Sequence, residues 1–227
     1  MTAICPLLSE VLRPQHLTDL TLPQRDIDRL QRMVASGSVM NMLFYGAPGL
    51  GKTSAARVIK RLMGCESTEI DGSSATGVDF VRDQIEGFAS SVSMFGNQKI
   101  CVIDEADYLS KQAQAALRHV IEKTSRNCRF TFTANDRSKQ MPAIQSRMLM
   151  VCFDISTSDR RAVQERLIAR YEMALAEAGI AYDGSRLREI VAIYYPDFRS
   201  IANRLEYEFG CRPESRLSNE VPARDSV

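Results

Sequence analysis

The stretch Gly46-Ala47-Pro48-Gly49-Leu50-Gly51-Lys52-Thr53 constrains this chain more than any other feature, because it matches G-x-x-x-x-G-K-S/T without deviation. Glycines at these positions let backbone N–H groups turn inward around phosphate oxygens. Lys52 reaches the β and γ oxygens, and the Thr53 hydroxyl takes a place on a Mg²⁺ ion. A helix opening at Lys52 aims the positive end of its dipole at the same anion, and Ser54 in its first turn is grouped with the loop. The apolar run 42–45 precedes the loop and a helical pattern, 52–63, follows it. That order of strand, loop and helix is the setting in which the motif holds a nucleotide rather than forming a glycine-rich turn by accident.

Four further β-like runs, at 68–71, 100–104, 130–134 and 149–153, follow the first. They are nearly continuous in apolar or β-branched residues, as expected of strands covered by helices on both faces. Helical patterns at 78–90 and 111–123 alternate with them, so the expected fold class is α/β with a five-stranded parallel sheet. In 111–123, Ala113, Ala116, Leu117, Val120 and Ile121 recur at helical spacing, with Ser110 as the expected N-cap. After Phe153 the texture changes. Residues 158–178, 185–193 and 197–209 read as three helices with no strand between them. The expected organisation is therefore an ATPase-type domain over 1–154, a small all-helical lid over 155–210 and a loose polar tail over 211–227.

The run Lys99-Ile100-Cys101-Val102-Ile103-Asp104-Glu105 is an apolar strand ending in two acids. Such a strand places Asp104 at the carboxyl edge of the sheet, where it can hold Mg²⁺ through water, with Glu105 next to it to polarise an attacking water. By itself this ending is common; its weight comes from the phosphate loop upstream. Asp104-Glu105-Ala106-Asp107 also spells the box of a helicase family, but that family needs a second domain for which 227 residues leave no room.

Composition narrows the surroundings. Lys+Arg 29 against Asp+Glu 28 leaves a formal charge of +1, so any nucleic-acid surface has to be a local basic patch. No apolar run approaches the ~20 residues that span a bilayer. Residues 1–10 lack the basic start and apolar core of a secretory signal, so the chain is expected to stay where it is made, in the cytoplasm of a bacterial or phage-infected cell, with the nucleus an open alternative. Cys5, Cys65, Cys101, Cys128, Cys152 and Cys211 form no C-x-x-C pair and only His16 and His119 could join them, so no structural metal is expected. Cys101 and Cys152 lie in strand-like runs and read as buried, reduced thiols.

Three further stretches, Asp104-Glu105-Ala106-Asp107, Gln114-Ala115-Ala116-Leu117-Arg118 and Gln145-Ser146-Arg147, closely resemble the small subunits of replication factor C, in the AAA+ clamp-loader family. The likeness extends to the ATPase subunits of T-even-type phage clamp loaders through Val78-Asp79-Phe80-Val81-Arg82, Phe88-Ala89-Ser90-Ser91, Ser125-Arg126-Asn127-Cys128 and Tyr195-Pro196-Asp197-Phe198-Arg199. It runs from about residue 12 to about residue 209. The resemblance implies ATP and Mg²⁺ as cofactors and assigns roles residue by residue. Asn135 is implied as the sensor of the γ-phosphate or the attacking water, with a turn residue as the plainer alternative. Arg147 is implied as the finger that reaches a neighbouring subunit's ATP, and Arg199 as a second sensor on the last helix. Backbone at Ser9, Glu10, Val11 and Leu12, with Thr21, is implied to frame the adenine. Arg82, Lys111, Ser138 and Lys139 fall on positions that track the phosphates of threaded DNA, a contact indifferent to base sequence and sensitive to salt.

The implied partners are a sliding clamp, primer–template DNA, other loader subunits in a five-membered ring and, indirectly, a DNA polymerase. The expected function is ATP-driven opening and loading of the clamp. Two alternatives stay open: a DNA-dependent AAA+ assembly switch or helicase-loader scaffold with little turnover, and a subunit carried passively in another protein's ring. Two departures from the family stand out. Met148 stands where a cysteine usually follows Ser-Arg, and the sequence stops soon after the lid, where family members carry a helical collar, so the expectation is either a shortened chain or a ring held differently.

Overall fold

The computed structural model describes residues 7–74, 77–93 and 98–210. Cys5, Cys211 and the expected tail over 211–227 lie outside the described residues. A short helix, α1 (Leu8–Val11), and a 3₁₀ turn (Leu17–Asp19) lead into α2 (Gln24–Ala35). Then come β1 (Met42–Tyr45), α3 (Lys52–Met63) and β2 (Ser67–Asp71). A continuous helical stretch, α4, is built from Val78–Phe80, a π-wound middle at Val81–Glu86, and Gly87–Ser90. It leads to β3 (Lys99–Asp104), α5 (Lys111–Lys123), β4 (Cys128–Ala134), the single turn α6 (Pro142–Gln145) and β5 (Leu149–Cys152). Three helices, α7 (Thr157–Glu177), α8 (Gly184–Tyr194) and α9 (Phe198–Phe209), complete the described chain.

All five strands are parallel, in the order β2-β3-β4-β1-β5. Period-two alternation sorts their side chains. Leu43, Cys101, Ile103, Phe130 and Phe132 face one side and pack with Val81, Ile85, Leu117 and Val120 from α4 and α5. Met42, Phe44, Ile100, Val102 and Val151 face the other and pack with Ile27, Leu30, Ala55, Val58 and Ile59 from α2 and α3. Covered on both faces, β3 has no need of polar alternation, which is why it reads as a solid apolar run. A third core belongs to the C-terminal helices. Val163, Leu167, Tyr171 and Leu175 recur every fourth residue along α7 and meet Leu187, Ile190, Ile201 and Leu205. Leu8 and Leu12 of the N-terminal segment pack into this same core.

Helix α2 is absent from the reading of the sequence. Its apolar positions, Ile27, Leu30, Met33 and Val34, have helical spacing but are interleaved with charge. Strand β3 starts one residue earlier than expected, at Lys99, whose side chain is completely buried. Its Nζ donates to the Phe88 carbonyl and to Ser91 Oγ, and lies 4.5 Å from the Phe88 ring. The C-terminal end of α4, where carbonyls lack intrahelical partners, thus accepts a buried cation.

The carboxyl ends of β1, β3 and β4 meet at one edge of the sheet, where open parallel sheets place their ligands. Gln114 of α5, 2% exposed, ties that edge together. Its Nε2 donates to the carbonyls of Leu109 (3.1 Å) and Lys139 (3.0 Å), and its Oε1 accepts from the Met141 N–H (2.8 Å). Replacing it by alanine leaves three backbone groups without these partners at a cost of about 3 kcal/mol, since each unmet buried group costs roughly 1–3 kcal/mol. Gln114→Ala is expected to lower the melting temperature by about 5–10 °C in calorimetry.

Candidate nucleotide site

Lys52, at the first turn of α3, is 7% exposed. Its Nζ donates to the carbonyls of Gly46 (2.8 Å) and Ala47 (2.8 Å) and to Asn135 Oδ1 (2.9 Å). Burial holds its pKa below the usual lysine value, while Asp107, Asp154 and Asp104 nearby oppose the shift. Thr53 Oγ1 donates to the Asp104 carboxylate, with distances of 2.8 and 3.0 Å to its two oxygens. The loop and the first acid therefore meet as the motif spacing predicts. The first backbone bond of α3 runs from the Ala55 N–H to the Gly51 carbonyl, so the N–H groups of Lys52 and Thr53 have no intrahelical acceptor.

Several residues at this site lie outside the sequence motifs, and two of them bond directly to its acids and its loop. Thr133, a polar residue within apolar β4, donates its hydroxyl to Asp104 Oδ1 and accepts the Glu105 N–H at 3.1 Å. It couples both acids to the middle of the sheet. Glu105 has φ +52°, and is the one non-glycine residue with positive φ among the described residues. Backbone in that sparsely populated region costs energy and concentrates at functional sites. The second of these two unforeseen residues, Asp154, follows β5 and accepts the Ala47 N–H at 2.9 Å, fixing the start of the loop.

These groups border a cavity of about 440 Å³, lined by Pro48 to Ser54, by Asp104, Glu105, Thr133 and Asn135, and by Arg199. Ser9, Leu12, Leu20, Thr21, Arg170 and Tyr171 are also in its lining. Of the expected nucleotide residues, Gly46, Ala47, Glu10 and Val11 are not in the lining. Gly46 and Ala47 turn toward Lys52 and Asp154, Glu10 pairs with Arg13 at 2.9 Å, and Val11 packs on the helical core.

Helix α9 meets the loop directly. Phe198 donates its N–H to the Gly49 carbonyl at 3.1 Å. A Cβ on Gly49, whose φ is +80°, would stand 2.3 Å from Asp197 Oδ1. Left-handed backbone costs a non-glycine residue roughly 1–2 kcal/mol, before any clash. Gly49→Ala is expected to weaken ATP binding by about tenfold or more, measured by titration calorimetry.

Arg147 takes no part in this cavity. It donates to the Ala143 carbonyl and to Ser146 Oγ (3.2 Å) and pairs with Glu122 of α5, which also receives Arg118 Nε at 3.3 Å. The expected DNA residues are all exposed. Lys111 opens α5. Ser138 donates its N–H to Asp136 Oδ1, and Lys139 Nζ lies 5.7 Å from the Tyr108 ring. Gln114 brings this segment beside the start of α5, and Arg82 is on α4, which packs against α5.

The donors present fit a nucleoside triphosphate and its cation. A left-handed glycine loop, free helix N–H groups and a buried lysine suit phosphate. A threonine hydroxyl beside a single carboxylate offers two hard oxygens, a set suited to Mg²⁺, which keeps most of its water. A cation held there would neutralise charge on the phosphates. Lys52 would then exchange its carbonyl bonds for phosphate oxygens, and Asn135, already bonded to Lys52, would face the outermost phosphate. Glu105 can accept a proton from a water on the cavity side.

Residues 42–154 match the family described as ATPase family associated with various cellular activities (AAA). Replication factor C small subunit of Methanosarcina mazei is 33% identical over 225 residues, covering 96% of this chain and 65% of that protein. Replication factor C subunit 3 of Oryza sativa subsp. japonica is 35% identical, covering 87% and 55%. This chain thus spans between 55% and 65% of the length of these two relatives. Thermotoga maritima RuvB, a Holliday junction branch migration motor, shares the fold at a TM-score of 0.53 and 16% identity, over 87% of this chain and 73% of that one. No helix among the described residues is long and apolar enough to cross a membrane. A nucleotide-binding α/β chain whose loop, acids and helical segment meet around one cavity, it belongs to the AAA family of P-loop ATPases and is similar, within it, to replication factor C subunits.

Proposed function

We propose that the chain is an ATPase subunit of a sliding-clamp loader, which binds and hydrolyses ATP to open a ring clamp and close it on primer–template DNA. The observation that carries this reading is the separation of Arg147 from the chain's own cavity. Lys52, Thr53, Asp104, Glu105, Asn135 and Arg199 gather at the cavity, whereas Arg147 is held by Glu122 apart from it. Such a site is completed by a neighbour. In this reading ATP is bound with Mg²⁺ at Thr53 and Asp104, Glu105 activates water, Asn135 and Arg199 sense the γ-phosphate, and Arg147 acts in the next subunit. The ATPase domain covers 1–154 and the lid 155–210, with α9 reporting on the phosphate loop through Gly49. Arg82, Lys111 and Lys139 bring positive charge, and Ser138 a hydroxyl, to exposed positions of a nearly neutral chain, as sequence-indifferent contact with DNA phosphates requires.

The test is ATP turnover with sliding clamp, primed DNA and partner subunits, added separately and together. A loader turns over fastest with all of them present, and the stimulation by DNA falls steeply as salt rises. Turnover indifferent to clamp and DNA would contradict the proposal.

A further inference from the structure

Helix α7 grips the N-terminal segment with two arginines one turn apart. Arg166 donates Nη1 to Gln24 Oε1 at 2.6 Å and Nη2 to the Leu22 carbonyl. Both of its terminal nitrogens are thus satisfied. Arg170 is placed similarly but is left half used. Its Nη1 donates to the Asp19 carbonyl at 2.9 Å, while its Nη2 is buried and has no partner among the described residues. The nearest carboxylate is committed elsewhere: Asp19 Oδ2 accepts the N–H groups of Gln15 (2.8 Å) and His16 (2.7 Å). Buried guanidinium nitrogens are seldom left without an acceptor, because a charged donor withdrawn from water loses its hydration without replacement. Burial also draws the Arg170 pKa below the usual arginine value.

Arg170 lines the nucleotide cavity where the N-terminal segment borders it, through its bond to Asp19. Its neighbours there are Leu12, Leu20, Thr21 and Tyr171, all 9% exposed or less. The guanidinium carbon lies 5.2 Å from the Tyr171 ring. Arg13 of the same lining is paired with Glu10 at 2.9 Å, so these largely apolar walls carry one buried donor without a partner among the described residues, which suits a flat heterocycle whose edge carries an acceptor. The phosphates have their own donors in the loop N–H groups and Lys52 at Gly49 to Thr53, which leaves the base as the acceptor for Arg170.

We infer that Arg170 reads the nucleobase, its Nη2 donating to a ring nitrogen of the purine while Nη1 stays on Asp19. The inference rests on ATP binding in this cavity, and it makes a lid-helix side chain a specificity determinant. It also couples base recognition to the N-terminal segment, since the same guanidinium holds both.

Arg170→Lys is the sharper substitution, because one ammonium retains a donor for Asp19 and removes the second nitrogen. Binding of ATP, of inorganic tripolyphosphate and of 1-, 3- and 7-deaza-ATP is measured by titration on wild type and R170K, with melting of both chains as the check on folding. Removing one charged hydrogen bond is expected to weaken ATP by about tenfold. Tripolyphosphate affinity and melting temperature stay unchanged. One deaza analogue binds wild type about tenfold more weakly than ATP does, and that difference disappears in R170K. Should ATP and tripolyphosphate weaken alike, or R170K melt lower, Arg170 is a clamp for the lid and the inference falls. It falls equally if R170K binds ATP as wild type does, or if no deaza analogue shows the coupling. Failure of wild type itself to bind ATP would instead remove the nucleotide reading on which the inference stands.

Discussion

Glu105→Gln is expected to slow ATP turnover by about 10²–10⁴-fold, the usual worth of a general base, while leaving ATP binding unchanged. Glutamine keeps the size and shape of glutamate but has no carboxylate to take a proton. The contacts that hold nucleotide do not pass through the Glu105 side chain. Lys52 is fixed by Gly46, Ala47 and Asn135, and Thr53 by Asp104. The Glu105 backbone also keeps its place, because its N–H is held by Thr133 at 3.1 Å. Binding measured by titration and turnover measured by phosphate release should therefore separate cleanly. Equal losses in both would mean that Glu105 supports the loop and not the water.

Arg147→Ala is expected to reduce turnover of the assembled complex by about 10³-fold or more, as loss of an arginine supplied in trans does. The same change should leave the turnover of the isolated chain as it was, since Arg147 does not line that chain's cavity. Its pair with Glu122 is partly exposed on both sides, so the fold loses little with it. Glu122 keeps Arg118 as a partner. Comparing dilute chain with assembled complex distinguishes a role in the neighbour's site from a structural one.

The reach of sequence reasoning follows the range of the interactions involved. The phosphate loop, its flanking strand and helix, and the acids closing β3 are local patterns, and local patterns are legible. The N-cap at Ser110 likewise depends on a residue three positions on, and its Oγ accepts the Ala113 N–H at 3.1 Å. What escaped depends on distant partners. Lys99 looks like a polar boundary until α4 supplies a carbonyl and a hydroxyl to its ammonium. Thr133 becomes a site residue only because β4 lies beside β3 in the sheet, and Asp154 because β5 lies beside β1. The docking of Asp197 and Phe198 on Gly49 joins positions nearly 150 apart in the chain, and no spacing rule reports it. Helix α2 was missed for a different reason. Its apolar stripe is present, but charge between the apolar positions masks the period, and packing on α3 and the sheet decides the outcome.

The central claim is that one chain's cavity works with its neighbour's arginine. Mixing tests it directly: Glu105→Gln chains keep the arginine and lack the base, whereas Arg147→Ala chains keep the base and lack the arginine. Each variant assembled alone should be nearly inactive. Assembled together, an Arg147→Ala cavity beside a Glu105→Gln neighbour has both groups, so turnover should return to a substantial fraction of the wild-type rate. A mixture no more active than the two variants measured separately would contradict the account.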